Sequence, residues 1–153
     1  MDALGSLLLQ VFCSGCSIAY SRNSVDIWEP FARLVLEATF EATLWATVLH
    51  ALKHADDKYG RTVFLSAVGA GVFGNKTIWV EDAIHKAISN VEAHGVGLDI
   101  KVLPQPSWPY LYNIVLSGAS VMVDLYNAHW CMMNAYVCNA LPTVHVQAIC
   151  ATY

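Results

Sequence analysis

The stretch Thr62–Asn75, TVFLSAVGAGVFGN, decides the architecture. Thr62–Val68 is β-branched and apolar, the composition of a buried strand. Gly69, Gly71 and Gly74 then interrupt the run. From about Thr77 to Ala93, Val80, Ala83, Ile84, Ala87, Ile88 and Val91 recur at helical spacing. Gly95 is placed to end that helix, and Leu98–Leu103 reads as the next strand. A strand that passes through glycines into a helix and then into another strand is a β-α-β unit.

Working toward the N-terminus, the spacing predicts a long helix before this unit. Asp26 is a plausible N-cap, Glu29 stands at the capping-box position and Pro30 lies in the first turn. Phe31, Leu34, Val35, Ala38, Ala42, Trp45, Leu49 and Leu52 follow as its apolar face, and the helix should end by Asp56–Gly60. Arg33, Glu37 and Glu41 repeat every four residues and read as a solvated stripe, which also argues against a membrane span. Leu7–Phe12 is a further buried strand, and Ser21–Asp26 a polar connection. The expected fold class is therefore α/β, a β-α-β-α-β unit with a mainly parallel sheet and right-handed crossovers.

The loop Gly69–Asn75 is the candidate site. Parallel sheets present ligands at the carboxyl ends of their strands, and glycines let a backbone approach a ligand closely. Consecutive N–H groups beside a helix N-terminus can cradle an anion. The net charge of −4 suits such a site, because the anion would be held mainly by amides. The competing reading is a plain tight turn, with Phe73 as a core plug. Gly69, Gly71 and Gly74 also spell G-x-G-x-x-G, the fingerprint of an NAD-binding Rossmann unit. That fingerprint should open the first βα unit and be followed by an acidic residue at the end of the next strand. Asp99 instead begins the next strand, and Phe73, Asn75 and Lys76 stand where a helix should pack tightly on the sheet.

The segments LLLQVFCSGCSIAYS, WEPFARLVLEATFEATLWA and VFLSAVGAGVFGNKTIWVEDAIHKAI, in that order, resemble the C-terminal half of a macrodomain, a family that binds ADP-ribose. The resemblance covers about residues 7–103 and looks closest to a divergent macrodomain-like subgroup. It implies a three-layer α/β/α arrangement whose glycine loop, of the pattern (S/T)-G-(I/V)-(Y/F)-G, wraps a diphosphate. Carried over, Ala70, Gly71, Val72, Phe73 and Gly74 occupy these places. Gly71 and Gly74 would be the close-approach residues, and Phe73 the ribose contact. With the flanking Val68, Gly69 and Asn75, these are the expected ligand-binding residues. The family's acidic adenine contact, its Asn-rich stretch and its second glycine loop do not precede Leu7. The resemblance thus implies an incomplete unit that binds ADP-ribose or a related nucleotide diphosphate without catalysis. The alternative is a non-binding remnant serving as a scaffold or interaction module. Neither a metal nor a resident cofactor is implied.

Composition limits the other possibilities. Of 153 residues, 56% are hydrophobic and 13% charged, about half the usual charged share. All eight Lys and Arg residues lie at or before Lys101, and beyond it only Asp124 is charged. With a negative net charge, no basic surface offers itself to nucleic acid. The cluster Pro104, Pro106 and Pro109 marks a boundary between residues 1–103, the α/β unit, and 104–153, an apolar tail with no clean period, broken by Pro142. Trp108, Tyr110, Tyr112, Trp130, Met132 and Met133 in that tail could cover a sheet edge or form an apolar patch that favours self-association. The run Ile114–Val123 is too short to span a bilayer. The first residues lack a basic n-region and carry Asp2. Five cysteines without secretory signs predict reduced thiols and a cytoplasmic setting, with a nuclear one as the alternative. Cys13-x-x-Cys16 stands alone, and Cys131, Cys138 and Cys150 with His129 and His145 lack paired zinc spacing. His50, His54, His85 and His94 fall on helix surfaces by pattern.

Overall fold

The computed structural model describes residues 9–57 and 59–103, together with the backbone of 146–150. Strand β1 is Leu9–Cys13, helix α1 Val25–Lys53, strand β2 Thr62–Leu65, helix α2 Thr77–Ala93, and strand β3 Asp99–Val102. The β-α-β-α-β order and the bounds of α2 agree with the sequence reading. A further strand, β4 (Val146–Cys150), comes from the apolar tail, in which the sequence shows no clean period. It lies inside the sheet, whose order is β1-β4-β2-β3, so the sheet draws a strand from beyond Pro104. Every pairing is parallel: Leu9–Cys13 runs in register with Val146–Cys150, Val63 and Phe64 with Val146 and Gln147, and Thr62–Leu65 with Asp99–Val102. The chain is thus of the α/β class with a parallel sheet.

From β1 to β2 to β3 the chain moves the same way across the sheet, and α1 packs on α2, so both helices lie on one face. Strand alternation shows which face that is. Val63, Leu65, Ile100 and Val102 point inward and are buried with Leu36, Phe40, Leu44, Val80, Ile84 and Ile88. On the other face, Phe12 is 71% exposed, and Thr62 donates its hydroxyl hydrogen to Asp99 at 3.1 Å. Among the described residues both helices lie on one face, and Thr62 on the other is buried at 5% exposure.

Helix α1 corrects two expectations. Its N-cap is Ser24, so Asp26 lies in the first turn; a carboxylate there still favours the positive end of the helix dipole. The buried face is Ala32, Leu36, Phe40, Thr43, Leu44, Thr47 and Val48, not the expected Phe31–Leu52 stripe. Phe31, Leu34, Leu49 and Leu52 are instead 54–70% exposed. The packed face includes two threonines, Thr43 and Thr47. Both hydroxyls are satisfied within the helix, donating to Thr39 O at 2.8 Å and Thr43 O at 3.0 Å, which leaves their methyl groups to pack.

The expected solvated stripe also has a different role. Arg33 donates to Asp82, Lys86 to Glu37 and Asn90 to Glu41, each pair separated by 49 residues in sequence. A constant offset at four-residue steps means that α1 and α2 run parallel, one turn matching one turn. Trp79 is buried beneath this rim, with the Arg33 guanidinium carbon 5.5 Å and Lys76 Nζ 5.0 Å from its ring centroid.

Candidate functional site

The glycine loop leaves the carboxyl end of β2, where parallel sheets place ligands. Gly69, Gly71 and Gly74 have φ of 83°, 66° and 77°, the left-handed region that disfavours other residues. A short 3-10 turn, Gly71–Phe73, carries the chain over the top, and α2 begins at Thr77 after Lys76. The third glycine therefore stands outside the helix, and Asp99 sits at the opposite, amino end of the sheet. Both features separate this loop from the dinucleotide fingerprint.

The eight residues expected to bind ligand divide into a buried frame and an open crest. Val68, Gly69 and Asn75 are buried. The Val68 amide donates to Ser66 O at 2.8 Å and that of Ala70 to Ala67 O at 3.1 Å. The Gly74 amide donates to Gly71 O at 2.9 Å and that of Asn75 to Gly69 O at 3.4 Å. Those four amides shape the loop and do not face a ligand. Gly71 and Val72 are exposed, and their N–H groups have no hydrogen-bond partner among the described residues. A Cβ on Gly71 would meet nothing within 4 Å, so the space above the crest is open. Phe73 is half-buried, which fits a wall of the site as well as a plug.

Asn75 locks the frame. Its side-chain Nδ2 donates to Gly69 O at 2.6 Å and to Cys16 O at 2.8 Å, tying the loop to the turn that follows β1. The two turns touch through backbone. A Cβ on Gly15 would fall 2.6 Å from Gly69 Cα, and one on Gly74 would fall 2.9 Å from Ala19 Cβ. Gly15, Cys16 and Ala19 were missed as parts of the site; the small residues of Cys13–Cys16, CSGC, at the end of a strand were the available signal. Asn75 Oδ1 is buried and has no partner among the described residues.

Charge around the crest is nearly balanced. Lys76 lies 3.7 Å from Glu29, whose other carboxylate oxygen accepts from Arg33 at 2.8 Å. Any anion would thus depend on amide dipoles and the start of α2 more than on a cationic side chain. Burial pushes the Cys16 thiol above its ordinary pKa, and neither Cys13 nor Cys16 is in a disulfide. Among the described residues no group of three metal-ligating side chains comes together, and no helix is long and apolar enough to cross a membrane.

The rings of His50 and His54 lie 4.6 Å apart, tilted by 37°, at the end of α1. Burial, with His54 and Lys53 nearby, lowers the His50 pKa against the opposing effect of Asp57. His94 meets Trp45 edge-on at 5.1 Å, and its Nδ1 lies 2.8 Å from Asn90 O. A recess of about 250 Å³ lined by Val48, Leu52, Arg61, Val96 and Leu98 lies at the amino ends of β2 and β3, away from the glycine loop. The tail residues Trp108, Tyr110, Tyr112, Trp130, Met132, Met133, Cys131, Cys138, His129 and His145, and the Cys150 side chain, lie outside the described residues.

No family model, no curated protein and no solved structure matches this chain.

Proposed function

We propose that the protein binds a nucleotide diphosphate of the ADP-ribose type at the crest of the glycine loop, as a macrodomain-like module, and does not turn it over. The carrying observation is that Gly71 and Val72 are exposed with amides unpartnered among the described residues, and that a side chain at Gly71 would meet open space, just past the carboxyl end of a parallel strand. Amide hydrogens and the start of α2 suit a phosphate oxygen, and a protein of net charge −4 needs such local dipoles to hold one. Ala70, Phe73 and Gly74 flank the crest, while Val68, Gly69 and Asn75 hold its shape.

Calorimetric titration with ADP-ribose tests the reading. Heat that is present in the native chain and lost in Gly71→Glu is expected, since a carboxylate there fills the open space and repels phosphate. No heat at millimolar ligand sinks the proposal. That outcome would favour an interaction module without a ligand, a reading supported by the internal bonds of Ala70, Gly74 and Asn75. The dinucleotide reading predicts enhanced NADH fluorescence on mixing, and an unchanged signal removes it.

A further inference from the structure

The outward face of α1 repeats with the period of a coiled coil. Trp28, Phe31, Val35, Ala38, Ala42, Trp45, Leu49 and Leu52 alternate at steps of three and four residues through the helix, the a/d pattern of a heptad seam. Most of this seam lies opposite the core face; Trp28, Val35 and Trp45 are half-buried, and the two tryptophans pack against the core with part of their surface. Phe31 is 54%, Leu49 59% and Leu52 70% exposed, and the flanking Ile27 and Leu34 are 70% and 60% exposed. Ala38 and Ala42, at its centre, are exposed as well. No charged residue occupies any of these ten positions.

We infer that this face pairs with the same face of a second copy, α1 against α1 in antiparallel orientation. Antiparallel seams match an a position with a d position of the partner. About a centre between Ala38 and Ala42, Trp28 meets Leu52, Phe31 meets Leu49, Val35 meets Trp45, and Ala38 meets Ala42. Large residues meet large and small meet small in every layer, and each aromatic faces an aliphatic. That is the self-complementarity a two-fold interface requires. The alanine pair lets the backbones approach at the centre. Antiparallel packing also sets the positive start of one helix dipole beside the negative end of the other. The strip exposes on the order of 600–800 Å² of apolar surface, more than an ordinary monomer patch of roughly 300–600 Å² and close to the ~800 Å² per partner of a standard interface.

Sedimentation equilibrium of the full chain tests the pairing. The expected mass is twice the 16.8 kDa of one chain. Ala38→Lys and Ala42→Glu, both at exposed positions, should each halve that mass with an unchanged circular dichroism spectrum. Mixing the two variants should restore the dimer, because only antiparallel pairing sets the introduced lysine of one copy against the introduced glutamate of the other. A native chain that stays monomeric at hundreds of micromolar overturns the proposal. So does a dimer that persists in both variants, which would move the contact elsewhere, the apolar tail included. Failure of the mixture to re-associate overturns the antiparallel register.

Discussion

At the scale of single residues, the three loop glycines share a backbone conformation but differ in surroundings. Gly71→Ala meets no neighbour and carries only the left-handed strain, so a loss of about 1 kcal/mol in urea unfolding is expected. Gly69→Ala adds contacts of 3.0 Å with Leu36 and 3.1 Å with Gly15, where backbone must give way, and the loss should exceed that of Gly71→Ala severalfold. A result in which the two substitutions cost the same would contradict the close approach of the two turns. Asn75→Ala removes the side-chain donor shared by the Gly69 and Cys16 carbonyls, each of which keeps one backbone donor; a cost of about 1–3 kcal/mol follows from the two lost bonds. His50 gives a pH signature. With its pKa lowered in the fold, the unfolded chain binds a proton first as pH falls through the ordinary value near 6.5. Stability should therefore decline over the interval between that value and the lower folded value, and level off beneath it. The decline should flatten in His50→Gln, measured by urea unfolding between pH 7.5 and 5.

At the scale of elements, α1 is apolar on two opposite sides. The side that packs is decided by where the sheet and α2 lie. Leu36→Ala removes a fully buried side chain and should cost about 2–5 kcal/mol, whereas Leu34→Ala, 60% exposed, should cost the isolated fold far less. Thermal unfolding of both variants under matched conditions checks the difference; equal losses would contradict the assigned face. The polar rim between the helices is a weaker support. Arg33 and Asp82 are partly exposed, and such pairs contribute about 0–1 kcal/mol.

At the scale of the whole molecule, β4 joins the two halves of the sheet. Strands β1 and β2 do not pair directly; each hydrogen-bonds to β4. Ala148→Pro would remove a ladder hydrogen bond inside the sheet, where proline is not tolerated. Loss of cooperative unfolding, followed by far-UV circular dichroism during a urea titration, is the expected result. A variant as cooperative as the native chain would place β4 outside the stable core.

The order of strands and helices as far as Leu103, the bounds of α2 and the glycine loop were legible in the residues, because a buried strand, a three-glycine break and a clean helical period each leave a local mark. Gly71 was legible for the same reason. The packing face of α1 was not, since a helix apolar on two sides offers two stripes of similar spacing. Nor was the division of the loop into frame and crest, which depends on Asn75 reaching Cys16, 59 positions away. The Val-x-Val alternation at Val144 and Val146 hints at a strand, yet its slot between β1 and β2 is a matter of long-range pairing. Local sequence sets periodicity and turn chemistry; which surfaces meet is settled only when distant segments compete for the same partners, and that competition exists in the tertiary structure alone.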